Sequence, residues 1–325
     1  MRAWRCHEWC GPDGLALEEI PAPKPAAGQV RIAVHAAGCN FADNLLIGGK
    51  YQRKPELPFT PGSEVAGEVI EAGPGVTGFR PGDRVAATLL DGGYAEEALA
   101  PAGTVFPLPE GVDVATAAAL PVTYSTDHHA LVDRGRLAEG ETLLVLGASG
   151  GIGLAAVDLG HALGARVIGA VGSPTKADLI RANGASEVIL YREESIAERV
   201  RELTGGRGAD VALDPVGGDA FDQAARSMAW AGRLLVVGFA AGRIPALPAN
   251  IALLKSFDMV GVNWPAFVLR DPKGYQAQMA RLFGMCAEGR LRPHVSQTFP
   301  LEALPQALQL FLDRRVTGKV VIEMT

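Results

Sequence analysis

The sequence predicts an α/β protein in which a β-rich domain carries a second, doubly wound parallel-sheet domain inserted into its chain. Three observations carry that reading. With 325 residues the chain exceeds the roughly 100 to 200 residues of a single domain, so two domains are the expectation from length. Its first third is rich in Gly and Pro and holds short β-branched runs bounded by turn residues. From Thr142 onward, apolar strand-like runs alternate with helical stretches, the pattern of a parallel sheet with crossover helices.

Taken in order, QVRIAVHAAG (29–38), SEVAGEVIEAG (63–73) and GDRVAATLL (82–90) read as antiparallel strands, with PAPKPAAG (21–28) a Pro-rich connector. TLLVLGA (142–148), ARVIGAV (165–171), EVIL (187–190), VALDPV (211–216), RLLVVG (233–238) and DMVGV (258–262) are the six runs assigned to the parallel sheet. A helix is expected around Lys273 to Glu288, then a helix-like LEALPQALQLFLDRR and a last strand, GKVVIEM. That strand has no parallel partner left, so it returns to the first domain. The expected boundaries are 1–123 for the first part of the β-rich domain, 124–265 for the inserted domain and 266–325 for the return.

The composition, 48% hydrophobic and 20% charged with a formal net charge of -6, is that of a soluble globular protein. An acidic chain has no general attraction for phosphate backbones or anionic lipid, so neither nucleic acid nor membrane is an expected partner. The longest charge-free stretch, Thr142 to Val157, has 16 residues and four glycines, short of the roughly 20 apolar residues that span a bilayer. No apolar segment follows the basic residues of MRAWRCHEWCGPDG, so no secretory signal is read and a cytoplasmic location is expected. Four cysteines, Cys6, Cys10, Cys39 and Cys286, are too few and too irregular for a disulfide framework. Cys6, His7 and Cys10 lie close together, but no second Cys/His cluster completes a four-ligand zinc site, so no metal is expected there. His128 and His129 are neighbours and would point about 100° apart on a helix; a surface or cleft-edge role is expected for them.

Directly after the first run of the inserted domain stands GASGGIG, Gly147 to Gly153, followed by the helical LAAVDLGHALGA. A phosphate-binding turn needs small residues so that backbone can approach a pyrophosphate, and the following helix presents free N–H groups and a positive dipole end. Read against G-x-G-x-x-G, Ala148 takes the first glycine slot and Gly150 and Gly153 the others, with Gly151 a further small residue. Ser149, Gly150, Gly151, Ile152 and Gly153 are therefore expected to bind a dinucleotide. An NAD site ends its second strand with an acid for the ribose hydroxyls. Here Gly172 and Ser173 replace it and Lys176 follows, so a 2′-phosphate would meet a hydroxyl and a cation, with Tyr191 and Arg192 closing the same pocket. NADPH is the expected cofactor.

Beyond these residues, NFADNLLIGGKYQ (40–52), LPFTPGSEVAGEV (57–69), GPGVTGFRPGDRV (73–85), LPVTYSTDHHAL (120–131), GARVIGAVGSPTK (164–176), DPVGG (214–218) and TGKVVI (317–322) together resemble the quinone oxidoreductase, or zeta-crystallin-like, group of medium-chain dehydrogenases/reductases over essentially the whole chain. The resemblance implies a GroES-like catalytic domain with an inserted Rossmann domain. It also implies a homodimer that pairs Rossmann edge strands, here DMVGVNW (258–264).

Zinc alcohol dehydrogenases of the same superfamily carry Cys and His where this chain has Asn40 and Ser63, so the Lewis acid that polarises an alcohol or carbonyl is missing. Hydride addition to a quinone or an activated C=C needs only orientation and a modest hydrogen-bond donor. The family pattern places Asn40, Asp43 and Tyr51 near the nicotinamide cleft, Asn40 to bond a substrate carbonyl, Tyr51 to donate a proton, and Asp43 to react or to hold the loop. Thr123 approaches the nicotinamide end, Gly238, Phe239 and Asn263 lie at carboxyl ends of strands, and Lys319 matches a position close to the cofactor phosphates. The expected function is NADPH-dependent reduction of a quinone. An enone or enoyl-thioester reductase is the nearest alternative, and a structural or RNA-binding zeta-crystallin-like protein is the alternative of another class.

Overall fold

The structure, a computed structural model, describes residues 1–324. Two compact units divide the chain: one takes Met1–Val122, Asp271–Gly289 and the residues from Pro293 on, the other Thr123–Arg270 with Arg290–Arg292.

The first unit is built on a sheet, antiparallel except for one edge pair, whose longest strand is Gln29–Cys39. In hydrogen-bonded order the strands are Val295–Pro300, Lys319–Glu323, Gln29–Cys39, Glu64–Ala72, Arg84–Thr88 and Val105–Pro107, with Glu97–Pro101 also pairing to Gln29–Cys39. The closing strand Lys319–Glu323 lies antiparallel to Gln29–Cys39, with Val320 opposite Cys39. QTFP, unassigned in the sequence, is part of the strand Val295–Pro300, parallel to that closing strand.

Val30, Ile32 and Val34 turn one face of the long strand into the core, as period-two alternation requires. From Ala36 both faces are buried. The reason is the helix Val114–Ala119, which Asp113 caps by accepting the Thr116 N–H at 2.9 Å. This helix comes so close at Gly38 that a Cβ there would sit 2.3 Å from Ala118 O. Leu304, Ala307 and Leu308 of the helix Leu304–Leu312 join the same core.

The second unit holds a six-stranded sheet, parallel throughout, ordered Glu187–Leu190, Arg166–Val171, Thr142–Val145, Ala209–Asp214, Met228–Val236 and Asp258–Gly261. In chain order this is 3-2-1-4-5-6, the doubly wound arrangement whose ligand crevice lies at the carboxyl ends of strands 1 and 4. The helix Gly151–Ala162 packs close to the first strand: a Cβ on Gly160 would lie 2.6 Å from Leu143 Cδ2.

Candidate functional site

Each unit contributes its own cluster. In the first, the long strand ends at Cys39 and Asn40 is the N-cap of the helix Phe41–Ile47. Asp43, in that helix's first turn, accepts the Asn40 backbone N–H at 2.8 Å and the Tyr94 hydroxyl at 2.6 Å, both on Oδ2. Burial pushes its carboxyl up to about 6, against the opposing pull of these two hydrogen bonds. With its contacts directed at Asn40 and Tyr94, Asp43 has the geometry of a group that holds the loop.

The Asn40 side chain is buried in a network of charges. Its Nδ2 donates to Glu64 Oε1 at 2.8 Å, and Lys319 Nζ donates to its Oδ1 at 2.9 Å. Lys319 also donates to Cys39 O at 2.9 Å and to Glu64 Oε1 at 2.6 Å, while Glu64 Oε2 accepts the Val122 N–H at 2.7 Å. An ammonium has three N–H bonds to give, and here all three meet oxygens of the first unit.

Tyr51 follows the same helix and is half-buried against the core. Burial, and then the negative charge of Asp43, push its phenol upward, so it keeps its proton at neutral pH and is available as a donor. Asn40 and Ser63 offer an amide and a hydroxyl in place of thiolate and imidazole. Among the described residues no group of three or more His, Cys, Asp or Glu side chains is placed to hold a metal ion. Cys6 and Cys10 bring their sulfurs to 3.9 Å, while His7 turns to Glu18 at 2.6 Å.

In the second unit the strand Thr142–Val145 runs through the glycine turn into the helix Gly151–Ala162. Gly147 has φ of +59°, and a Cβ on Gly153 would lie 2.2 Å from Gly147 O and 2.7 Å from Ala148 Cα. Only glycine fits at 153. Gly150 is the N-cap, with its N–H bonded to Gly147 O at 3.0 Å. The N–H groups of Gly151, Ile152 and Gly153 fall in the first turn, where a helix has no internal acceptor for them, so with the helix dipole they form an anion site. Ser149 is buried beside them.

The next two strands end beside a second group of polar and basic residues. After Arg166–Val171 come Gly172 and then Ser173, the N-cap of the helix Pro174–Ala182. Tyr191 and Arg192 follow Glu187–Leu190 and lean over position 172: a Cβ there would be 2.8 Å from Tyr191 Oη and 3.5 Å from Arg192 Nε. Lys176 has its pKa lowered by partial burial and, secondarily, by the positive charge of Arg192. Two cations held this close are stabilised by an anion, and hydroxyls at Ser173 and Tyr191 add donors. An extra phosphate on a dinucleotide's ribose fits this set.

The remaining positions divide. Asp214, at the end of the fourth strand, accepts the Val216 and Gly217 N–H groups at 2.7 and 2.8 Å and so shapes the DPVGG turn. Phe239 borders that turn, 3.1 Å from where a Cβ on Gly217 would stand, and the neighbouring Gly238 N–H reaches Asp214 O at 3.3 Å. Asn263 Oδ1 accepts the Ala266 N–H at 3.2 Å, a local bond within the turn that opens the helix Trp264–Arg270. Thr123 is buried at the start of the helix Thr123–His128.

His128 and His129 require a correction: both are buried, because every residue of Thr123–His128 is, and the following turn buries His129 too. His129 Nδ1 bonds Asp133 at 2.9 Å and its ring stacks on Phe267 with centroids 4.3 Å apart. Three residues escaped the sequence reading. Glu64 had a signal, since it follows the lost ligand position Ser63. Tyr94 had none. Nor had Asp127, a fully buried carboxyl without a hydrogen-bond partner, whose pKa burial raises well above the ordinary range.

Comparison with known proteins follows the same division. Residues 26–110 match the alcohol dehydrogenase GroES-like domain and residues 151–283 the family described as zinc-binding dehydrogenase. The quinone oxidoreductase-like protein 2 homolog of Nematostella vectensis is 41% identical over 99% of this chain and 88% of its own length. Human quinone oxidoreductase is 34% identical over 99% of this chain and 97% of its own. Among solved structures, a mycobacterial protein complexed with NADPH is 34% identical with a TM-score of 0.93, covering 99% of each chain. Escherichia coli quinone oxidoreductase complexed with NADPH is 28% identical, also with a TM-score of 0.93, over 99% of this chain and 100% of its own. With Asn40 and Ser63 where zinc ligands would stand, and with relatives of this kind along its whole length, the chain belongs to the zinc-independent quinone oxidoreductase, zeta-crystallin-like, family of medium-chain dehydrogenases/reductases.

Proposed function

We propose that this protein is an NADPH-dependent oxidoreductase that reduces a quinone or a similar electron-poor acceptor. The observation that carries the reading is that Tyr191 and Arg192 close over Gly172, next to Ser173, while Lys176 lies near enough to Arg192 to feel its charge. NADPH bound there supplies the hydride. The chain's residues bind and orient: the N–H groups of Gly151, Ile152 and Gly153 hold the pyrophosphate, and Ser149 lines the same turn. Lys176, Ser173 and Tyr191 select the phosphorylated ribose. Thr123, Gly238, Phe239 and Asn263 are assigned to the remaining cofactor contacts. In the first unit, Asn40 bonds the acceptor oxygen, Asp43 holds the loop from which Asn40 and Tyr51 project, and Tyr51 keeps a proton to give. The domain boundaries fall near 123 and 266, with the cofactor domain between them.

A second reading is reduction of an enone or enoyl thioester, favoured by the protonated Tyr51 hydroxyl. Hydride addition to a conjugated C=C leaves a carbon that must be protonated. A panel of quinones, enones and enoyl thioesters, read by NADPH consumption, tests both; turnover of none of them would refute the assignment.

A homodimer through the edge strand Asp258–Gly261 belongs to the same proposal. That strand is unpaired on one side, and Met259, at 56% exposure, and Leu253 and Leu254, at 77% and 73%, leave apolar surface near it. Light scattering behind size exclusion checks it, and a monomeric mass at micromolar concentration would overturn it. No helix among the described residues is long and apolar enough to cross a membrane.

A further inference from the structure

The buried charges Lys319 and Glu64 have no part in the function proposed above, although both touch the Asn40 side chain. Glu64 has no exposed surface and Lys319 only 3%. Burying such a pair is weak evidence for stability, because the desolvation of two ions offsets much of their attraction. The pair does something that apolar residues could not do: it gives the Asn40 amide one orientation. An asparagine can turn its amide by 180° with little change of shape, exchanging its acceptor for its donor. Here the ammonium of Lys319 lies 2.9 Å from Oδ1 and the carboxylate of Glu64 lies 2.8 Å from Nδ2. Turned over, the amide would set an oxygen against a carboxylate and an NH₂ against an ammonium.

We propose that Lys319 and Glu64 are positioning residues that lock the Asn40 amide, so that one Nδ2–H is bound by Glu64 and the other is kept for the acceptor's oxygen. That second N–H has only a long contact, 3.5 Å, to Gly38 O. The lock is itself held rigidly. Lys319 is tied to Cys39 O, Glu64 to the Val122 N–H, and Gly38 must be glycine because a Cβ there would meet Glu64 Oε1 at 2.5 Å. The inference rests on the reading that Asn40 bonds the acceptor.

The experiment compares three variants of the full chain with quinone as acceptor. Lys319→Met with Glu64→Gln removes both charges at once and frees the amide to turn. Its kcat is expected to fall by about a hundredfold, the loss that a small misplacement of a reacting group brings, with the KM for NADPH unchanged. Lys319→Gln with Glu64→Gln keeps a neutral N–H donor for Oδ1 and should recover most of that kcat. Asn40→Ala should lose as much as the first variant, and adding it to the first should cost nothing more, because the three residues act as one unit.

A first variant with normal kcat beside an inactive Asn40→Ala would overturn the lock while leaving Asn40 in its role. An Asn40→Ala variant with normal kcat would remove the reading beneath it. A raised KM for NADPH with kcat kept would put Lys319 in cofactor binding and refute the proposal. Should the Met-containing variant fail to fold, Lys319→Leu with Glu64→Gln takes its place: a kcat lowered about a hundredfold with the KM for NADPH unchanged supports the lock, and a normal kcat overturns it.

Discussion

Replacing Asp43 by Asn should stabilise the protein at neutral pH, although it removes a side chain that makes two short hydrogen bonds. The carboxyl is fully enclosed, and burial lifts its pKa from 3.8 to about 6. A group raised in the folded state contributes stability that is fully present below the unfolded value and is lost as pH rises through the folded value. The window is therefore pH 4 to 6. A rise of roughly two units at 1.36 kcal/mol each makes the loss about 3 kcal/mol. Asn is neutral at every pH, and its Oδ1 can still accept from the Asn40 N–H and the Tyr94 hydroxyl. The difference in unfolding free energy, variant minus wild type, should thus climb by about 3 kcal/mol between pH 4 and 7 and then level off. Urea denaturation of both proteins at half-unit pH steps measures it. Asp127, Asp158 and Asp214, whose carboxyls burial also raises, are present in both and drop out of the difference. A flat difference, or one that falls with pH, would mean that Asp43 is stabilised as an anion and would refute the argument.

Three further outcomes are expected. Gly153→Ala puts a Cβ 2.2 Å from Gly147 O, so the turn must move; overpacking of this kind costs about 1 to 3 kcal/mol, and calorimetry should show NADPH affinity lowered by at least about tenfold. Lys176→Glu removes a charge-assisted hydrogen bond of about 1.5 to 3 kcal/mol, so NADPH affinity should fall roughly ten- to a hundredfold while NADH affinity does not; equal affinities before and after would make Lys176 a surface charge. Tyr51→Phe should lower enone kcat by about 10²- to 10⁴-fold if the phenol is the general acid, and quinone kcat by less than about tenfold, since quinone oxygens can take protons from water; small equal losses on both would take Tyr51 out of the chemistry.

What could be read from the sequence was what lies close together along it. The glycine turn is one continuous segment between a strand and a helix, and Ser173 and Lys176 follow the next strand directly, so residue type and order were enough to locate an anion site. The long antiparallel strand showed itself by alternation at Val30, Ile32 and Val34. The catalytic side is different, because its contacts join distant parts of the chain: Lys319 meets Glu64 across 255 residues and Tyr94 meets Asp43 across 51. No local period encodes such pairs, and resemblance could place Lys319 near a cofactor without saying which way its ammonium turns. The histidine pair fails for a related reason. Helical geometry gives the angle between His128 and His129, but whether either reaches solvent depends on what encloses the helix, and Thr123–His128 is enclosed on every side. Asp127 sits in that same enclosed helix with a carboxyl that finds no partner. A lone buried acid costs free energy in its ionised form, so burial raises the Asp127 pKa well above the ordinary range, a shift set by what encloses the helix and not by any residue near it in sequence.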